Sequence, residues 1–131
     1  MLKISKQSDY GLVFLSYLKD KKEYVSLAEI VEKTHLPVRF LARIASYLKK
    51  NNLVESLEGK TGGYKITEKV KKITLYDYLK IFEKNLFFTS CSKNDYHCPY
   101  EEFCQHKDFF KNKLNKIVID NIKNYKLAEI I

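Results

Sequence analysis

The sequence predicts a mainly α-helical fold with one two-stranded β-hairpin and a long C-terminal helix, and three observations support this prediction. Apolar residues recur at helical spacing in several short segments of the chain. Between residues 53 and 67, two short alternating runs flank a glycine-rich stretch. An apolar stripe at helical spacing then occupies the last part of the 131 residues. A chain of this length forms one domain, or a small domain with an appended helix.

Two helices are predicted near the start of the chain. The first covers about residues 5–19, with an apolar face formed by Leu12, Val13, Phe14, Leu15, Tyr17 and Leu18. The second runs from about Ser26 to Lys33 and opens with a capping box, because Ser26 is followed three residues later by Glu29. We expect this second helix to bury Leu27, Ala28, Ile30 and Val31.

A third helix is predicted over about residues 37–51, because Pro37 is well tolerated in the first turn of a helix. Its inner face contains Phe40, Leu41, Ile44, Tyr47 and Leu48. Its outer face carries Arg39, Arg43, Ser46, Lys49 and Lys50. Two short helices that are joined by a tight turn, the second with a basic outer face, are typical of a helix-turn-helix that reads DNA.

The hairpin directly after the third helix is interpreted as the wing of a winged helix-turn-helix. Glycines at Gly59, Gly62 and Gly63 permit the turn and let the backbone approach a partner closely. Lys60 and Lys65 make the hairpin basic, which favours contact with DNA, although lysines also serve solubility in many hairpins. Residues 1–73 are therefore predicted to form a winged helix-turn-helix DNA-binding domain.

Residues 74–131 are predicted to form a second unit with a sensor loop and dimerisation helices. Thr74 and Asp77 can cap a helix over about residues 74–85. A long helix is expected from about residue 102, and clearly from 108, to about 124, with a stripe of Phe109, Phe110, Leu114, Ile117, Val118, Asn121, Ile122 and Tyr125. This stripe exceeds what one small domain can cover, so we expect it to pack against the same helix of a second subunit.

The charge distribution supports the assignment of the first part of the chain to DNA. The formal charge is +8, and residues 1–75 contain 15 Lys and Arg against 8 Asp and Glu, whereas residues 76–131 contain 9 against 8. Positive charge concentrated on one half points to a polyanion, nucleic acid before membrane. No apolar run reaches the roughly 18 residues that span a bilayer, and no signal peptide is recognised. We expect a cytoplasmic protein without a membrane partner.

The three cysteines, Cys91, Cys98 and Cys104, lie in one loop-like segment near His97 and His106. Several thiolates that converge in a flexible loop suit a soft metal or an iron–sulfur cluster. An odd number of cysteines without export argues against a disulfide framework. The residues leave open a thiol switch, or a zinc site that His106 completes. No nucleotide-binding glycine loop or nucleophile constellation is present, so the sequence indicates a regulator rather than an enzyme.

Several segments together resemble the Rrf2 (BadM-type) winged-helix transcriptional regulators, a family that includes the IscR and NsrR iron–sulfur sensors. The matching segments are KISKQSDYGLVFL, SLAEIVEKTHLPVRFLARIASYLKKNNLV, the wing EGKTGGYKIT, the three-cysteine segment and the terminal KLAEII. The resemblance implies a homodimer that binds a near-palindromic operator in double-stranded DNA. It further implies that the second helix of the helix-turn-helix enters the major groove and that the wing reaches the minor groove.

The resemblance assigns roles to individual residues of the DNA-binding domain. Arg39 and Arg43 are expected to contact base edges or phosphates, with Ser46 on the same face. The residues expected to contact phosphates are Lys49, Lys60, Tyr64 and Lys65. Position 42 is Ala here, whereas IscR-like members carry a glutamate that tunes operator choice.

The resemblance also supplies candidates for a fourth cluster ligand beside the three cysteines. NsrR-like members use an aspartate near the start of the first helix of the partner subunit, and Asp9 is in register with it. IscR-like members use a histidine at the position of Lys107, which makes the neighbouring His106 the alternative. The resemblance thus implies a 4Fe–4S cluster in preference to 2Fe–2S. The expected function is a DNA-binding repressor that senses nitric oxide, redox state or iron–sulfur status.

Overall fold

Five α-helices and one antiparallel β-hairpin are found in the computed structural model, which describes residues 3–131. The elements are α1 Lys6–Leu18, α2 Leu27–Thr34, α3 Val38–Lys50, β1 Val54–Leu57, β2 Gly63–Ile66, α4 Leu75–Phe82 and α5 Asn115–Lys123. The predicted fold class, a mainly helical winged helix-turn-helix with a two-stranded wing, is confirmed. The predicted DNA-binding domain begins at residue 1, and residues 1 and 2 lie outside the described range.

Side-chain caps explain where three of the helices begin. Ser5, Ser26 and Thr74 each accept a hydrogen bond from a backbone N–H in the first turn of the helix that follows. The predicted capping box of α2 is only half formed, because the Glu29 carboxylate accepts from the hydroxyl of Tyr17 instead of from Ser26. This contact joins α2 to α1 at a distance of 2.9 Å between the two oxygens.

The helix-turn-helix turns at His35, whose φ of 58° is left-handed and ends α2. The wing follows α3 with the register Val54↔Ile66 to Leu57↔Gly63. Strand β2 also pairs with the segment before α2, which the sequence did not indicate. Tyr64 and Val25 exchange backbone hydrogen bonds of 2.9 and 2.7 Å. Gly63 allows this contact, because its φ is +143° and a Cβ there would lie 2.1 Å from the Val25 carbonyl oxygen.

One apolar core joins both parts of the chain. It contains α1 and α3 residues together with Tyr78 and Leu79 of α4 and Leu127 of the C-terminal tail. The tail is held by hydrogen bonds from Leu75 N–H to the Tyr125 carbonyl (2.8 Å) and from Leu127 N–H to the Ile73 carbonyl (3.0 Å). The division into domains at residue 73 remains a prediction.

Three residues that were expected on buried faces are exposed. Val13 is 39% exposed and Tyr47 is 41% exposed, and Ala28 also faces solvent. Each lies at the border between the buried and the exposed face of its helix. Apolar periodicity locates a face but not its exact border, so it does not assign burial there. The Tyr47 ring instead packs edge-on against Phe82 of α4, with ring centroids 5.9 Å apart.

The C-terminal helix begins later than its earliest predicted start. Residues Glu101–Phe103 form a separate 3-10 turn, and a π-helical stretch, Phe109–Leu114, leads directly into α5. The residues of the predicted apolar stripe differ in burial. Phe110, Leu114, Val118 and Ile122 are partly covered, whereas the exposed members are Phe109, Ile117, Asn121 and Tyr125. Within residues 3–131, no helix has the length and apolar character that crossing a membrane requires.

Candidate DNA interface and cysteine site

One face of α3 is exposed and carries the side chains predicted to read DNA. Arg39, Arg43, Ser46 and Lys49 are all exposed, and Ala42 lies among them. The opposite face is buried through Leu41, Ile44, Ala45 and Leu48. Because residues three and four apart share a helix face, the two arginines point the same way and can address one stretch of groove.

The three predicted wing contacts have different surroundings. Lys60 is exposed at the tip of the hairpin. The Lys65 ammonium lies 5.8 Å from the ring centroid of Tyr24, and the side chain is only partly exposed. The Tyr64 ring packs edge-on against Phe14, at 5.7 Å between centroids. Tyr64 therefore supports the attachment of the wing to α1 in addition to any contact with phosphate.

All three cysteine side chains line a single cavity of about 200 Å³. The three thiols are free and partly exposed, so they are accessible to a ligand. The other lining residues are Tyr100, Glu101, Phe103, His106 and Lys107. In the part of the chain that the structure describes, no three Cys, His, Asp or Glu side chains have already converged on one point. The cavity thus collects the thiols, and binding of one ion or cluster would require them to converge further.

Polar contacts that the sequence did not indicate hold the start of the cysteine segment. The Thr89 hydroxyl lies 3.1 Å from the Cys91 sulfur and 3.0 Å from the Ser92 hydroxyl. The Phe88 N–H donates to the side-chain oxygen of Asn115, at 3.2 Å, and Asn115 is buried at the start of α5. These contacts couple the position of Cys91 to α5. A lone Thr or Asn has no sequence signature for such a role.

Lys107 introduces a positive charge beside the thiols. Its pKa is raised by a hydrogen bond to Glu101, and the negative charges of Glu101, Cys91 and Cys104 act in the same direction. The same ion pair lowers the pKa of the Glu101 carboxyl. The wall of the cavity that the three thiols line therefore includes one cationic side chain.

The two candidates for the fourth ligand lie in different places. His106 is exposed, lines the cysteine cavity, and packs edge-on against Phe110 with ring centroids 5.8 Å apart. Asp9 is exposed in the first turn of α1 and does not line the cavity of its own chain. Among residues 3–131, its carboxylate has no hydrogen-bond or ion-pair partner. His97 is exposed and lies outside the cavity lining.

The sequence matches the family described as "Rrf2: Iron-dependent Transcriptional regulator" over residues 4–131. An HTH-type transcriptional regulator of Aquifex aeolicus is 28% identical over 125 residues, which cover 85% of this chain and 87% of that protein. The HTH-type transcriptional regulator NsrR of Oceanobacillus iheyensis is 25% identical and covers 99% of this chain and 90% of that protein. These relatives are described as regulators, which confirms the prediction that the chain is not an enzyme.

Among solved structures, CymR (YrzC), described as the global cysteine regulator of B. subtilis, has the same fold. The two structures superpose with a TM-score of 0.73 at 24% sequence identity. The superposition covers 98% of this chain and 95% of CymR. The arrangement of the helix-turn-helix, the wing and the C-terminal helix is therefore shared over nearly the whole chain.

Proposed function

The chain belongs to the Rrf2 family of transcriptional regulators, and on that premise we propose that it is a homodimeric DNA-binding repressor that senses through an iron–sulfur cluster. Cys91, Cys98 and Cys104 of one subunit hold the cluster, and Asp9 of the partner completes the set. A 4Fe–4S cluster is proposed in preference to 2Fe–2S. The signal is nitric oxide, the redox state or the supply of iron–sulfur clusters.

The single observation that carries this proposal is the shared cavity of the three thiols. Soft iron in a cluster prefers thiolate ligands, and the three cysteines supply three of the four that a cluster site ordinarily uses. Lys107 lines the same cavity and adds a positive side chain to its wall. The donor set therefore fits an iron–sulfur group.

Two features of Asp9 support its supply from a partner subunit. Its carboxylate is exposed and has no hydrogen-bond or ion-pair partner within residues 3–131, and it does not line the cysteine cavity of its own chain. The resemblance to NsrR-like members implies the same assignment. An oxygen ligand is harder than a thiolate, so the bond to Asp9 is the weakest of the four and the first to be replaced or lost.

The exposed side of α5 and the π-helical stretch before it support the second subunit. Phe109 and Ile117 of this helical segment are 49% and 55% exposed, and Tyr125, two residues beyond the end of α5, is 53% exposed. Large apolar side chains in a row that the monomer leaves uncovered are typical of an interface between subunits. We propose a second copy of this chain as the occupant, because the proposed cluster site also needs Asp9 from a second copy.

DNA recognition is proposed to rest on the exposed face of α3 and on the wing. Arg39 and Arg43 contact base edges, and Ser46 lies beside them on the same face. The proposed phosphate contacts are Lys49, Lys60, Tyr64 and Lys65. A homodimer would present two such faces, which suits a near-palindromic operator.

Helix α1 provides the physical route between the sensor and the reading head. Tyr10 of α1 packs edge-on against Phe40 of α3, with ring centroids 5.7 Å apart. Phe14 of α1 contacts Tyr64 of the wing in the same manner. A bound cluster would tie α1 of one subunit to the cysteine loop of the other through Asp9, and nitric oxide or oxygen could attack it. Loss of that tie would change how α1 lies against the partner's cysteine loop, and the spacing of the two α3 helices would shift toward a form that binds the operator less tightly.

Anaerobic purification tests the proposal directly. We expect brown protein with iron and sulfide, and with tight binding to an operator selected from random DNA duplexes. Nitric oxide is then expected to lower the operator affinity. A cluster-loaded dimer whose affinity is unchanged by nitric oxide would remove the sensor claim.

A second candidate function uses the same cysteines without a cluster. His106 lines the cavity with the three thiols, and together they supply the Cys₃His set of donors that structural zinc sites use. The thiols could equally act as a redox switch, since they are free and partly exposed. Visible absorption separates these candidates, because zinc protein and cluster-free thiol protein are colourless.

A further inference from the structure

We propose that Glu83 is the positioning residue that sets Asp9 for ligation, by clamping the first turn of α1 to the end of α4. The inference rests on the proposed function, since it concerns how the chain presents Asp9 to the cluster of its partner. Glu83 ends α4 and begins the connection to the cysteine segment. It therefore lies on the chain between the reading domain and Cys91.

The clamp consists of two hydrogen bonds to one carboxylate oxygen. Glu83 Oε1 accepts from the backbone N–H of Ser5 at 2.8 Å and from the hydroxyl of Ser8 at 2.6 Å. Ser5 is the N-cap of α1, and its own hydroxyl oxygen accepts from the Ser8 N–H at 3.2 Å. A residue 75 positions away in the sequence thus holds both ends of the first turn.

The clamp reaches Asp9 through the backbone. The Asp9 N–H donates to the Ser5 carbonyl at 3.0 Å, and the Ser5 N–H donates to Glu83. Ser8, the neighbour of Asp9, is fully buried and also accepts a hydrogen bond through its carbonyl from Tyr78. Asp9 itself is exposed. The first turn is therefore anchored on its inner side, while the carboxylate of Asp9 projects from the outer side.

The charge of Glu83 suits this role. Partial burial raises the pKa of its carboxyl, but the hydrogen bonds from Ser8 and Ser5 lower it by more, so the net shift is downward. The group is ionised at neutral pH and accepts both hydrogen bonds as a carboxylate. Charge-assisted hydrogen bonds of this kind are shorter and stronger than neutral ones.

A second cluster of charged residues is already satisfied by contacts among the described residues. Lys19, Lys21, Lys65 and Lys71 line a basic cavity near the C-terminal tail. Their ammonium groups already engage the Ile131 carbonyl, the rings of Tyr17 and Tyr24, and Glu68, respectively. This cavity has no free cation aimed at a ligand among the described residues. The Glu83 clamp, in contrast, joins α4 to the first turn of α1, which carries the proposed ligand Asp9.

The experiment measures the rate of iron loss to a chelator from the anaerobically loaded, full-length dimer. Glu83→Ala removes the acceptor, and Glu83→Gln retains an oxygen that can accept. Each is compared in the natural background and in Asp9→Asn. Glu68→Ala is the matched control, because it removes an exposed carboxylate whose described partner is Lys71. Ser8→Ala provides a milder second disruption.

We expect Glu83→Ala to speed iron loss by about tenfold, the lower end of the effect of residues that orient metal ligands. Glu83→Gln and Glu68→Ala should lose iron at nearly the rate of the unsubstituted protein. The rate for Ser8→Ala should fall between that rate and the rate for Glu83→Ala. In the Asp9→Asn background, Glu83→Ala should have no further effect. A residue with a merely structural role would speed iron loss equally in both backgrounds, and that result would overturn the proposal.

Hydrogen exchange on the iron-free protein provides a readout that does not depend on the cluster. Glu83→Ala should lower the protection of the Asp9 amide and leave the amides of α3 unchanged. Unchanged protection at Asp9 would overturn the clamp. Wild-type protein without iron and sulfide would overturn the proposed function, and the positioning role with it, before any variant is compared. If the wild-type protein holds iron and sulfide but Glu83→Ala and Asp9→Asn speed iron loss additively, the positioning role alone would be overturned.

Discussion

The hydroxyl of Tyr78 donates a hydrogen bond of 2.6 Å to the backbone carbonyl of Ser8 and so joins α4 to the first turn of α1 in the protein interior. Both residues are fully buried. Burial raises the pKa of Tyr78 well above its usual range, and the charges of Asp9 and Glu83 act in the same direction. The phenol is therefore a permanent donor at physiological pH, and this contact does not switch with protonation.

The close approach of Tyr78 depends on Gly11. A Cβ at Gly11 would lie 2.2 Å from the Tyr78 hydroxyl oxygen. We expect Gly11→Ala to lower the free energy of unfolding by about 1–3 kcal/mol, the usual cost of overpacking, although Ala is the better helix former. In the Tyr78→Phe background the cost should be smaller, because the hydroxyl is gone. Urea unfolding of the four proteins tests this coupling, and equal costs in both backgrounds would contradict it.

Recognition of bases and of phosphates should separate by salt dependence. We expect Arg39→Ala and Arg43→Ala each to weaken operator binding by about 1–3 kcal/mol and to relax base preference. Lys49→Ala should weaken binding to all sequences and reduce the log–log salt slope by roughly 0.9. Fluorescence anisotropy over a salt series measures both effects. Lys72→Ala is the charge-matched control on a different surface, and a salt slope lowered equally by that variant would contradict the assignment.

The fourth ligand should be identifiable by substitution at two positions. We expect Asp9→Asn to accelerate cluster loss under nitric oxide and to alter the visible spectrum, because the hard carboxylate ligand is removed. His106→Ala should leave both nearly unchanged, although His106 lines the cysteine cavity. Stopped-flow absorption on anaerobic protein measures the rates. The reverse pattern would assign the fourth position to His106.

The capping box of α4 predicts a specific dependence of stability on pH. The pKa of Asp77 is lowered from 3.8, first by the hydrogen bond from the Thr74 backbone N–H, against a smaller opposing effect of burial. A carboxyl whose pKa falls on folding stabilises the fold above the unfolded-state pKa, and this stabilisation is lost as pH decreases through the folded-state pKa. We expect the destabilisation caused by Asp77→Ala to be full at pH 7 and to shrink below about pH 4. Urea unfolding from pH 7 to pH 3 measures it, and a difference that stays constant over this range would contradict the assignment.

Much of the fold was predictable because its signals are local. Ser26 and Thr74 predict helix starts because their side chains cap nearby backbone N–H groups. Gly59 and Gly63 predict the hairpin because they permit positive φ in the turn. The exposure of Tyr47 was not predictable, since a helical period does not say which neighbour covers the edge of a face. The contact of Tyr64 with Val25 was also missed, because two backbone hydrogen bonds leave no trace in side-chain pattern.

The candidate cysteine site likewise combines features that the sequence predicted with features that it did not. The grouping of the three cysteines in one segment was apparent from their spacing, and the structure brings them to one cavity. The supporting contacts of Thr89 and Asn115 were not apparent, because a single polar residue has many possible partners. Their role depends on which backbone group the fold brings within hydrogen-bond reach.

By itself, the sequence determined the order and type of the elements, the basic face of α3 and the set of thiols, because periodicity, caps and composition act over short distances along the chain. Only the tertiary structure decided that Glu83 meets Ser5 and Ser8, that Tyr78 fits over Gly11, and that Asp9 is exposed. The first two outcomes join residues about 70 or more positions apart. Their geometry follows from how the packed core orients whole helices, and no local pattern encodes that orientation.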